Sequence, residues 1–153
     1  MVRLLVCSLA AVAAAGCVDT TRCKMPVAWK PCPGQPAQAG ASGSPPSIVE
    51  LSLPTCATVD APLVTGSLHA TDPDGDAQLL KVTFFSGARD NEDEVLLDDA
   101  NRSGNDWSGA FGVAIQGSNG SMLMESSVDV VMKVTDRAGA QSVPFCNTVS
   151  IVR

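Results

Sequence analysis

The chain has 153 residues, ten Lys and Arg against sixteen Asp and Glu, and a formal net charge of −6. That acidity argues against nucleic-acid binding, which needs cationic neutralisation of phosphate. One His and no Tyr leave few groups for acid–base work near neutral pH, and no nucleophile–base pair or metal triad stands out, so no enzyme is expected.

The chain opens "MVRLLVCSLAAVAAAGC". One charge, Arg3, precedes an apolar run from Leu4 to Ala15, too short to span a bilayer and suited to a secretory signal. Ala14, Ala15 and Gly16 then lead into Cys17. This resembles the lipobox of bacterial lipoproteins, in which the peptidase cuts before a Cys that takes lipid. Ala14 departs from the Leu commonest at its place, and ordinary signal cleavage near the alanine run is the alternative. The resemblance implies a signal over 1–16, lipidation of Cys17 and a membrane partner held through that lipid. Val18, not Asp, follows Cys17, which by the enteric sorting pattern implies the outer membrane. Loss of Arg3 with the signal leaves nine basic residues against sixteen acidic ones.

Residues 17–47 are rich in Pro, Gly, Ala, Ser and Gln and have no apolar period. Such a stretch buries too little apolar surface to offset the entropy of ordering, so a disordered, lipid-anchored tether is expected. Cys23 and Cys32 enclose "KMPVAWKP", a small loop that a local disulfide could pin. Zinc is a poor fit, since it wants about four ligands and no His lies nearby.

From Ile48 to Arg153 the pattern is short alternating segments between turn residues. "SIVELSL" sets Val49, Leu51 and Leu53 inward; "LVTGSLHAT" sets Val64, Gly66, Leu68 and Ala70 inward and His69 outward. "LLKVTFF" turns Leu80, Val82 and Phe84 to the core, and "EVLLDD" is a short edge-type strand. "DWSGAFGVAI" aligns Trp107, Phe111, Val113 and Ile115; "SVDVVMKVT" aligns Val128, Val130, Met132 and Val134; "CNTVSIV" ends with Val149 and Ile151 inward. About seven strands and no amphipathic helix predict an all-β sandwich domain over 48–153.

The Asp-Pro-Asp-Gly-Asp turn at 72–76 before the third strand, and Val134-Thr135-Asp136-Arg137-Ala138-Gly139 after the sixth, are similar to bacterial immunoglobulin-like domains of the cadherin-like and polycystic-kidney-disease-type group. The resemblance covers roughly 47–153 and implies a seven-stranded Ig-like β-sandwich; it specifies function poorly. The antibody-type arrangement of two Cys and a Trp is absent.

Six cysteines stand at 7, 17, 23, 32, 56 and 146. With Cys7 lost and Cys17 lipidated, Cys23, Cys32, Cys56 and Cys146 remain as two disulfides, in three possible connectivities. Cys56 and Cys146 both take the outward phase of their strands. First and last strands are neighbours in many such sandwiches, so a bridge between these two is sterically reasonable.

Asp72, Asp74 and Asp76 are the candidate metal ligands. Counted from Asp72, Gly75 is fourth and Thr83 twelfth, which excludes an EF-hand. The Ig-like resemblance places their loop at the same end as Asp136, where four carboxylates would suit calcium. The competing expectation is an ordinary acidic turn, with Arg137 pairing Asp72 or Asp76. "ARDNEDEV", 88–95, reads as a solvated acidic loop. The chain is therefore expected to be a non-catalytic, membrane-tethered envelope lipoprotein. Its Ig-like module would bind a protein or glycan partner or serve a structural role, with no cofactor. The alternative is a calcium-dependent adhesion or carbohydrate-binding module.

Overall fold

The computed structural model describes residues 23, 25–59, 63–86, 89–115 and 126–152. The signal stretch and Cys17 lie outside them. Seven long strands carry the domain: β3 (Ser47–Leu53), β5 (Leu63–Thr71), β6 (Ala77–Ser86), β7 (Arg89–Leu96), β9 (Asp106–Ala114), β10 (Ser126–Asp136) and β11 (Phe145–Val152). Four short ones accompany them: β1 (Val27–Ala28), β2 (Lys30–Pro31), β4 (Cys56–Thr58) and β8 (Arg102–Ser103). They form two sheets, ordered β1-β3-β5-β9-β8 and β2-β11-β10-β6-β7. All pairs are antiparallel except β4, which runs parallel to β11.

This is the expected all-β, Ig-like sandwich. Its first, second and fifth long strands share one sheet, and its fourth, third, sixth and seventh share the other. In the constant-type immunoglobulin order the fourth strand pairs with the fifth; here β7 pairs with β6 instead.

The alternating apolar residues meet between the sheets. Leu68, Leu80, Val82, Trp107, Phe111, Val113, Val130, Met132, Val134 and Val149 all belong to one buried cluster, as a period of two requires. Val49 is the exception. It was expected inward but is 56% exposed, because the β3–β5 register slips between Ile48 and Glu50. The extra residue of a bulge points out of phase, and Ile48 packs against the core in its place.

The stretch 25–47 corrects the expected tether. It is a strap that climbs the open side of the sandwich. Val27 and Ala28 pair with Leu53 and Ser52 of one sheet. Lys30 and Pro31 pair with Cys146 and Phe145 of the other. Between them Trp29 is 4% exposed, with its backbone N–H on the Leu51 carbonyl at 2.8 Å. Further along, Gln38 and Gln141 exchange backbone hydrogen bonds of 2.9 and 2.8 Å, and the Ala41 N–H reaches the Ala138 carbonyl at 2.9 Å. Gly40 passes flush against the turn after β10: a Cβ there would stand 2.5 Å from the Ala140 nitrogen and 2.7 Å from the Ala138 oxygen. The strap and β4 together cover both ends of the β11 edge, which would otherwise present unpaired backbone groups.

The disulfides follow from the strap. Cys23 pairs with Cys56, Cα to Cα 4.7 Å, and Cys32 pairs with Cys146 at 5.3 Å. The local Cys23–Cys32 loop and the Cys56–Cys146 bridge are both replaced. The reason is that the strap, not β4, lies against the start of β11, so Cys32 is the thiol that reaches Cys146. The acidic run 88–95 is also corrected: from Arg89 it is strand β7, paired residue by residue with β6, and Lys81 meets Glu94 at 3.0 Å. A charged edge strand of this kind resists pairing with other chains.

Candidate functional site

Two turns meet at one end of the sandwich. Asp72 leaves β5 and is fully buried. Its Oδ1 accepts the Asp74 N–H at 3.2 Å, and its Oδ2 accepts the Asp76 N–H at 2.9 Å. Its carbonyl accepts the Gly75 N–H at 3.0 Å, and its own N–H donates to the Asn105 carbonyl at 2.9 Å. Gly75 takes φ +74°, the left-handed conformation that such a turn demands. A buried carboxylate is tolerable because its oxygens are bonded to amides.

Two side chains outside the turn brace it, and one of its own reaches the strap. Arg102 donates from Nη1 to the Gly75 carbonyl at 2.9 Å, from Nη2 to the Ala77 carbonyl, and from Nε to Asp99 Oδ1 at 3.2 Å. Asn105 donates from Nδ2 to the Pro73 carbonyl at 3.0 Å. Asp74 Oδ2 accepts the Ser44 N–H at 2.5 Å, tying the top of the strap to the turn. Neither Arg102 nor Asn105 carries a pattern of its own in sequence. Arg102 reads there as one residue of a loop, because its partners are carbonyls twenty-five and twenty-seven residues away.

The β10–β11 turn docks on this one. The Arg137 N–H donates to the Asp76 carbonyl at 3.2 Å. Asp136 is 4% exposed; its Oδ1 accepts the Ala140 N–H at 2.7 Å, while its Oδ2 is buried and has no hydrogen-bond partner among the described residues. Asp76 stands near enough to feel its neighbours. Desolvation raises its pKa above the ordinary 3.8, and the charges of Asp72, Asp136 and Asp74 raise it further.

Asp136 therefore meets the aspartate turn, and Arg137 contributes its backbone. The Arg137 guanidinium belongs to none of the three ion pairs among the described residues. The fit to calcium is nonetheless poor in this arrangement. Both oxygens of Asp72 are held by amides, and among the described residues no three Asp, Glu, His or Cys side chains gather as a metal would need.

His69 lies elsewhere, on the outer face of the β3-β5-β9 sheet. It sits opposite Glu50 on one side and Ser108 on the other, and its Nε2 is 3.5 Å from Asp106 Oδ1. No hydrogen bond joins Ser108 to His69 among the described residues.

No family model matches this chain, and no curated protein matches it. Among solved structures, a Niemann-Pick type C2 protein from Japanese carpenter ant superposes with a TM-score of 0.45 at 6% identity, over 74% of this chain and 98% of that one. A likeness of this depth says nothing about what either chain binds.

Proposed function

We propose that the chain is a bacterial envelope lipoprotein, held to the membrane by lipid on Cys17, whose Ig-like sandwich is a non-catalytic binding or structural module. The observation that carries this is the cysteine pairing. The four cysteines after Cys17 bond among themselves, which is the even set left when Cys7 departs and Cys17 is acylated. Structural disulfides also fit an oxidising compartment outside the cytoplasm. The non-catalytic part is supported by His69, the one imidazole, which lies on an open sheet face without a nucleophile hydrogen-bonded to it among the described residues. The test is metabolic labelling with a palmitate analogue and mass measurement of the mature protein. Lipid on the wild type and none on Cys17→Ser, with release of the variant from membranes, is the expected result. A mature chain that begins upstream or downstream of Cys17 and lacks lipid would end this reading.

A calcium-dependent adhesion or carbohydrate-binding module is the second reading. Its support is Asp136 Oδ2 near Asp76, without a hydrogen-bond partner among the described residues. It requires Asp72 to give up amide bonds for the metal. Calcium that leaves the melting temperature unchanged up to millimolar concentration rules it out.

A further inference from the structure

We infer that the pole of the sandwich bearing the Cys23–Cys56 bridge rests on the surface of a lipid bilayer, with Met25 and Leu63 at the contact. The inference builds on the lipid-anchor reading above.

The two poles differ in where exposed apolar side chains fall, while Asp90 and Asp129, register partners of Phe85, show that both carry carboxylates. The upper one holds the aspartate turn and Asp136, with Asp98 and Asp99 just after β7 and Asp106 at the start of β9. The lower one is marked by the start of β5, the end of β9, the start of β10 and the end of β11, since Leu63 pairs with Ala114 and Ser126 with Ile151. Cys56 pairs beside Ser150 at this same end, so its bridge fixes Cys23 there. Among the described residues six large apolar side chains are exposed, and four of them are on this side. Leu63 opens β5 and is 60% exposed; Met25, 67% exposed, is two residues from Cys23. Val27 pairs with the last residue of β3, and Phe85 is next to the last residue of β6. Val49 and Leu96 are the two that are not.

Chain length selects the occupant. Six residues lead from Cys17 to Cys23, and fully extended they reach at most about 22 Å. A lipid on Cys17 thus holds this pole beside the bilayer at high effective concentration. Under that constraint even weak apolar contacts settle the domain on the interface. The aspartate pole then faces away from the membrane, about 30 Å out along β5.

The test uses the full lipidated chain reconstituted in vesicles of phosphatidylethanolamine and phosphatidylglycerol, with plain or brominated acyl chains. Leu63→Trp and Leu96→Trp each add one indole at an exposed position, over the same background of Trp29 and Trp107. The expected result is loss of the emission added by Leu63→Trp in brominated lipid, with the emission added by Leu96→Trp retained. Quenching at neither site, or equally at both, overturns the inference while leaving the anchor in place. The mass of the same sample reports the lipid on Cys17; its absence overturns the anchor and, with it, this orientation.

Discussion

The indole N–H of Trp29 donates to the carbonyl oxygen of Leu53 at 3.3 Å. Trp29 is the strap residue in the buried cluster, so this contact joins the strap to the core. Truncation to Ala removes a large buried ring, and cavities of that size cost about 3–5 kcal/mol. Trp29→Phe keeps most of the volume but removes the indole donor to the Leu53 oxygen, at about 1 kcal/mol. Chemical denaturation of the three chains should rank them wild type, Trp29→Phe, Trp29→Ala. An Ala variant as stable as wild type would mean that the strap is not part of the folded unit.

The Cys32–Cys146 bridge spans 114 residues. In the chain-entropy model a loop of that size contributes about 4–5 kcal/mol by restricting the unfolded chain. The double variant Cys32→Ala, Cys146→Ala should melt well below wild type, and the difference should vanish when both are reduced. Peptide mapping under non-reducing conditions should yield Cys23 with Cys56 and Cys32 with Cys146. A Cys23–Cys32 fragment would contradict the strap directly.

The long strands were legible because a half-buried strand has a period of two, and most inward positions named from sequence are buried. Val49 failed because a bulge shifts the phase without any sequence mark. The strap failed for a different reason. Its order comes from two disulfides, one indole and a few backbone bonds to distant carbonyls, none of which leaves an apolar period in 25–47. The meeting of Asp136 with the aspartate turn followed from which loops share an end of an Ig-like sandwich. The loss of Asp72 as a free ligand did not, because it depends on where the turn aims the Asp74 and Asp76 amides.

Gly40 offers a test of the strap that leaves both bridges and Trp29 untouched. An added Cβ would collide with backbone at Ala138 and Ala140, and backbone cannot rotate away as a side chain can. Gly40→Ala should therefore destabilise by roughly 1–3 kcal/mol, as overpacking commonly does. Gly34, with nothing within 4 Å of an added Cβ but a φ of +72°, is the comparison: strain there is local. Amide exchange at Gln38 and Gln141 should quicken in Gly40→Ala and stay slow in Gly34→Ala. Equal protection in both would remove Gly40 as the point of close approach.

The aspartate turn separates two neighbours by the sign of their effect. Asp72→Ala deletes the acceptor of two N–H groups in a buried place. Bonds to a charged group contribute about 1.5–3 kcal/mol each, so this variant should be strongly destabilised at neutral pH. Asp76 behaves in the opposite way. Its folded pKa lies above its unfolded value because desolvation, then Asp72, Asp136 and Asp74, disfavour its charge. The native state thus holds the Asp76 proton more tightly than the unfolded chain does. Its contribution to stability is fully present below the ordinary 3.8 and is lost as pH rises through the raised folded value. Asp76→Asn removes the repulsion without needing a proton. It should melt higher than wild type at neutral pH, and the gap should close as pH falls toward about 4. Melting curves of the two chains across that range decide the matter. A gap of opposite sign, or one that does not change with pH, would show that Asp76 is not strained by the carboxylates around it.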